Sequence, residues 1–120
     1  MTIPKFRVWD EVSCTMITTN DYEDLSDLFC CLNADDGFFS ELMQSTGMKD
    51  KNGVDIYDND IVAVDHGDFS EYGRVFYSEK FACYRVEFEN YDFELNEVAY
   101  CFVVGNVYEN PELLDEVGIV

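Results

Sequence analysis

A chain of 120 residues that is 48% hydrophobic and 16% aromatic has the apolar content of one folded domain with one core, and not that of a disordered acidic tail. Its 26 acidic residues outnumber 7 basic ones, for a formal net charge of −19. That excludes nucleic acid as a direct partner, because a phosphate backbone is bound by cations that displace its counterions, and it makes basic proteins the expected partners.

The opening stretch MTIPKFRVWD has no basic segment followed by a long apolar run. Neither a signal peptide nor a membrane span is predicted, and a cytoplasmic location is expected. Residues 5–9 and 13–18 read as two strands of a hairpin joined by an acidic turn at Asp10-Glu11. Asn20 or Asp21 is placed to cap a short helix, in which Leu25, Leu28, Phe29 and Leu32 share one apolar face. Its other face carries Glu23, Asp24 and Asp27. Residues 39–46 suit a strand or a helix equally, since the apolar run is short.

Asn52-Gly53 is the strongest turn signal, predicting a two-residue type I′ hairpin loop with positive φ at both positions. Ile56-Tyr57 and residues 61–64 read as strands. Gly67 and Gly73 bracket a polar loop before a strand at 74–77. Residues 84–97, YRVEFENYDFELNE, then alternate with period two, as half-buried strands do, slipping register at Asn90 and resuming from Tyr91. The polar face of the first stretch carries Glu87 and Glu89, and that of the second Asp92 and Glu94. Residues 98–104 read as a buried strand, and Asn110-Pro111 introduces a last helical turn over 111–114. Many short strands with little helix predict a mainly β (α+β) fold: a small SH3-like β-barrel core with an N-terminal hairpin and one or two short helices.

Signals for chemistry are weak. His66 is the sole histidine, and a catalytic base also needs a nucleophile and an orienting group. Asp55, Asp58 and Asp60 suggest a cation loop. The stretch DKNGVD places glycine fourth instead of sixth and has no glutamate twelfth, so the calcium-loop geometry fails and the turn explains Asn52-Gly53 without a metal. The five cysteines are an odd set without CxxC spacing, expected as free, mostly buried thiols, and Cys30-Cys31 has no nearby base to activate it. No catalytic residue, metal or cofactor is assigned.

Three islands resemble the YopX family of phage and prophage proteins: KFRVWD at 5–10; LMQSTGMKDKNG at 42–53, continuing through Ile56-Tyr57 to Asp60-Ile61-Val62; and GNVYENPELL at 105–114. The resemblance implies a single YopX-like domain over residues 1–120 and carries no catalytic residues with it. Asp60-Ile61-Val62 also looks like the opening strand of an SH3-like barrel, with Asn59 where a glycine is usual. Asparagine tolerates the left-handed conformation that such a turn needs. Nine acids and no base lie between Arg7 and Lys49, and nine acids and no base follow Arg85.

Alternate strand residues lie about 6.6 Å apart, so Glu87 with Glu89 and Asp92 with Glu94 would present charges at a spacing comparable to successive phosphates. On the helix, Asp24 with Asp27 and Glu23 with Asp27 would lie about 5–6 Å apart. The expectation is a phage-encoded, non-enzymatic protein in the host cytoplasm. It would mimic DNA on these seven carboxylates and so inhibit a basic nucleic-acid-binding host protein, a nuclease of a restriction or CRISPR defence system. The rivals are a phage accessory domain, able to self-associate into a homo-oligomer, whose acidity serves solubility, and a metal-dependent hydrolase built on Asp55, Asp58, Asp60 or His66.

Overall fold

The alternation in FRVWD is realised as strand β1 (Phe6–Asp10), which pairs antiparallel with β2 (Thr15–Thr18) and buries Val8 completely. Asp10 closes the hairpin: its Oδ1 accepts the backbone N–H groups of Val12 and Ser13 at 2.9 and 3.2 Å. The Ser13 N–H foremost holds this carboxyl below its ordinary pKa, against a smaller opposing effect of desolvation. The computed structural model describes residues 5–20, 22–33, 38–97 and 101–118, and the chain forms two compact units, residues 1–45 and 46–120.

The first unit adds helix α1 (Tyr22–Asn33), which buries Leu28 and sets Phe29 6.0 Å from Phe6, although Phe29 stays 40% exposed. Asp21 and the side chain of Leu32 lie outside the described residues. At Asn20 the bond runs from the backbone: its N–H donates to Asp24 Oδ2 at 3.0 Å, which ties the chain ahead of the helix to a carboxylate of its first turn. The segment that suited strand or helix equally forms an isolated bridge from Phe39 to Asp10 and, in its second half, the start of β3 (Met43–Lys49). Met43 and Gln44 pair with β1, and the strand then continues into the second unit, where it neighbours β4 (Asp55–Tyr57).

The rest of the second unit is a curled, half-barrel antiparallel sheet of five strands: β5 (Asp60–Asp65), β6 (Ser70–Ser78), β7 (Cys83–Glu87), β8 (Asp92–Glu94) and β9 (Cys101–Asn106), in the order β8-β7-β6-β5-β9. A 3-10 turn (Leu95–Glu97) follows β8, and helix α2 (Leu113–Val117) ends the unit. Ile56, Val62, Val64, Val75, Val86, Phe88, Leu95 and Cys101 form the core. The chain is thus mainly β with a barrel-like core, an N-terminal hairpin and two short helices, as its alternating pattern predicts. Residues 98–100 of the last predicted strand lie outside the described residues.

Three local expectations are corrected. The β3–β4 turn is a three-residue loop and not a type I′ loop: Gly53 N donates to Asp50 O, and Asp50 N to Val54 O. Gly53 alone of the pair takes positive φ, at +82°, in a type I turn closed by a left-handed residue. Gly73 lies inside β6, not at its entrance, and the β5–β6 loop spans only 66–69. The thiols are mostly not buried: Cys14 and Cys30 are exposed, Cys83 is half-buried, and Cys101 alone is buried among Cys14, Cys30, Cys83 and Cys101. Cys14 sits in an exposed turn at φ 55°, which takes it off the strand face that alternation would have buried.

The turn gives a direct test. A Cβ at Gly53 would meet nothing within 4 Å, so only the backbone conformation resists substitution there. Gly53→Val is expected to lower stability by about 1–2 kcal/mol, while Gly53→Asn costs much less, because asparagine visits the left-handed region. Urea titration of the two variants checks this; equal midpoints would remove the left-handed requirement.

Candidate functional site

The break at Glu89-Asn90 is a hairpin turn, closed by Phe88 N donating to Tyr91 O at 2.7 Å. Strands β7 and β8 therefore lie side by side, with Glu87 opposite Asp92 and Arg85 opposite Glu94. On the other flank of β7, Arg74 stands opposite Glu87 and Phe76 opposite Arg85. Val75, Val86 and Phe88 turn to the core. The polar face thus has two arginines interleaved with its carboxylates, which offsets the cost of facing like charges across a ladder.

Both arginines are engaged. The Arg74 guanidinium bonds Glu87 Oε1 through Nε and Nη2 at 2.6 Å, and Nη1 donates to Asn59 Oδ1 at 3.0 Å. Arg85 Nε donates to Asp92 Oδ2 at 2.6 Å, and the Arg85 plane lies 4.4 Å over the Phe81 ring. That bond to Asp92 foremost raises the pKa of Arg85. Glu89 and Glu94 have no ion-pair partner among the described residues; Glu89 is exposed and Glu94 half-buried. Of the four strand carboxylates expected to face a partner, two are thus neutralised in place. On α1, Glu23 and Asp27 are exposed, while Asp24 is half-buried and bonded to the Asn20 N–H.

The residues weighed for catalysis are dispersed. His66 Nε2 lies 3.2 Å from Glu71 Oε1, and its ring stacks on Phe69 with centroids 4.8 Å apart. The Tyr91 hydroxyl donates to both Glu71 carboxylate oxygens; this bond foremost raises the Tyr91 pKa. Asp55 pairs with Lys49 at 2.8 Å, and Asp60 is buried, its Oδ2 accepting the Tyr57 N–H at 2.8 Å. Among the described residues no three His, Cys, Asp or Glu side chains stand close enough together to hold a metal.

A family model described as YopX protein matches residues 5–115. This chain belongs to the YopX protein family. Membership points to a phage-type protein. The chain is also similar to the crystal structure of protein EF1440 from Enterococcus faecalis: 26% identity, TM-score 0.66, with 95% of this chain and 99% of that one covered. Among curated proteins none matches this sequence. No helix among the described residues is long and apolar enough to cross a membrane.

Three polar residues of the resembling islands, Asp50, Asn106 and Asn110, serve the backbone. Asp50 is 8% exposed; its Oδ1 accepts the N–H groups of Asn52 and Val54 at 2.8 and 2.9 Å, and its Oδ2 that of Val103 on β9 at 2.9 Å. Asn106, also buried, accepts the N–H groups of Tyr108 and Glu109 at 3.0 and 2.9 Å. Asn110 lies so close to Gly105 that a Cβ there would meet its Oδ1 at 2.3 Å. Asn59 takes φ 68°, the left-handed turn expected of it, and its carbonyl accepts from Val107 N at 3.1 Å. Sequence reading missed Asp50 because a buried carboxylate in an acidic chain looks like one more surface acid; the available signal was its place at the first position of a turn.

Proposed function

We propose that this YopX-family chain is a non-enzymatic, phage-encoded inhibitor that occupies the nucleic-acid-binding surface of a basic host defence protein by DNA mimicry. The observation that carries this reading is how its cations are used. Within residues 46–120 every cation is engaged by the chain itself: Lys49 with Asp55, Arg74 with Glu87, Arg85 with Asp92, Lys51 over Phe102 and Lys80 over Phe81. That segment holds seventeen acids against five bases, so the surplus is uniformly negative and projects a field that steers a basic groove.

Glu89, Glu94, Glu23 and Asp27 are the contact carboxylates this reading favours, with Glu87, Asp92 and Asp24 contributing through the summed field. Asp10, Asp50, Asn106 and Asn110 in the family islands are occupied by backbone bonds, which leaves recognition to other acids. A stoichiometric blocker needs such a complementary surface and no active site.

Two amide variants test it against basic partners captured from host lysate at low salt. Changing Glu87, Glu89, Asp92 and Glu94 together to Gln and Asn is expected to slow association and flatten its salt dependence, and Glu89 with Glu94 alone to account for most of that loss. Four exposed acids elsewhere, Glu11, Glu79, Glu112 and Asp115, serve as the control for net charge. Equal weakening by both sets would make bulk charge responsible. A chain that displaces no DNA from any captured protein, yet sediments as a stable self-assembly, would favour the accessory-domain reading instead.

A further inference from the structure

Tyr77 and Tyr84 stand opposite each other across the β6–β7 ladder and meet edge to face, with ring centroids 5.2 Å apart at 74°. They line an open cleft of about 370 Å³, with Met48, Cys83, Glu94 and Asn96 also contributing to its wall. Tyr77 is 48% and Met48 37% exposed, so both present apolar surface to solvent at the cleft. Neither phenol hydroxyl makes a hydrogen bond among the described residues. The adjoining turn holds Ala82, another residue of the cleft, at φ 53°, a conformation a non-glycine residue adopts only at a cost.

The cleft combines aromatic faces, two unused hydroxyl acceptors and a negative surround. The Tyr84 phenol is pushed above its ordinary pKa by burial first, then by the charge of Asp58 and by Tyr77, which places a carboxylate's field on that ring. An aromatic face in a negative field attracts cations, and guanidinium suits it better than ammonium because it is planar, weakly hydrated and stacks on rings. The chain already uses this chemistry on itself, with Arg85 4.4 Å over Phe81 and Arg74 5.7 Å over Phe76. Among the described residues no cation of the chain lines the cleft.

We propose that this cleft receives one arginine side chain of a basic protein partner, its guanidinium against the faces of Tyr77 and Tyr84 and its N–H groups donating to their hydroxyls. The identity of the partner as a basic protein rests on the inhibitor reading above; the preference of the cleft for guanidinium does not.

The test is an NMR titration of the full chain with N-acetyl-arginine amide at fixed ionic strength. Saturable shifts are expected at the Met48 methyl and at the Tyr77 and Tyr84 rings, and Tyr77→Leu should weaken the probe about fivefold, the size of an exposed cation–π contribution. The neutral isostere N-acetyl-citrulline amide should leave those signals in place. Citrulline or lysine amide binding as well as arginine, or shifts spread evenly over the acidic surface, would overturn the proposal. The two readings fail separately. If the probe binds but no partner is displaced from DNA, the cleft stands and the inhibitor reading falls. If Tyr77→Leu blocks a DNA-binding partner as well as the parent does, the cleft proposal falls alone.

Discussion

Asp50→Ala is expected to destabilise the second unit by about 3–6 kcal/mol, enough to remove much of the stability of a domain this size. Three backbone N–H groups, those of Asn52, Val54 and Val103, lose their acceptor at once. Each buried unsatisfied donor costs roughly 1–3 kcal/mol, and the sum is blunted where relaxation admits water. Asp50→Asn should cost about half as much: an amide oxygen facing Asn52 and Val54 keeps two bonds, while its NH₂ group confronts the Val103 N–H. Urea midpoints give the stabilities, and hydrogen exchange at the Val103 amide locates the damage. An alanine variant within about 1 kcal/mol of the parent would mean that the buried carboxylate holds nothing.

The same carboxyl sets the acid limit. Burial pushes its pKa up, but the N–H donors of Val103, Val54, Asn52 and Gly53 together outweigh that effect, and the group sits below its ordinary value. A folded pKa below the unfolded one, near 3.9 for aspartate, means that the unfolded chain binds more protons between the two. The stabilisation is therefore complete above about pH 4 and is lost as pH falls through the folded value. Asp10 is lowered too and acts in the same direction. At higher pH the surface acids oppose this trend, since protonating them relieves self-repulsion. Stability is expected to rise slightly from about pH 7 toward 5 and to collapse below about 4, with the collapse blunted in Asp50→Asn. A monotonic fall from neutral pH would show that surface charge does not strain the fold.

What the sequence discloses and what it conceals divide along a physical line. Periodicity is a local property, so β1, β2, α1, β5 and the β7–β8 hairpin are legible from alternation and helical spacing. Pairing is not local. Glu87 and Asp92 look like members of one acidic row, because nothing in their neighbourhood says that Arg74, thirteen residues before Glu87, will lie across from it. The cleft of Tyr77 and Tyr84 is illegible for the same reason: it needs Met48 and Asn96 brought to a hairpin neither belongs to. Asn52-Gly53 signals a turn, yet its type depends on Asp50 two residues earlier, whose carboxylate fixes the loop and ties it to β9.

Gly73 is where packing overrides local signal most completely. Its Cβ would lie 2.4 Å from Val86 Cγ1 and 2.9 and 3.1 Å from two Phe88 ring carbons. Val86 is 0% and Phe88 5% exposed, so neither side chain can swing into solvent. Gly73→Ala is expected to cost about 3 kcal/mol by overpacking, roughly a 10 °C fall in midpoint, and Gly73→Val to leave the second unit unfolded at physiological temperature. A double-mutant cycle separates this from a loss of backbone freedom. Val86→Ala alone leaves a cavity and costs roughly 2 kcal/mol, but in the Gly73→Ala background it removes the clashing methyl, so the pair should cost about 1–2 kcal/mol less than the sum of the singles. Phe88 still crowds the site from the other side, so rescue should be partial. Strictly additive costs would mean that β6 moves away from β7 to admit the methyl, and that the glycine serves the bend of the sheet instead of its contact with the core.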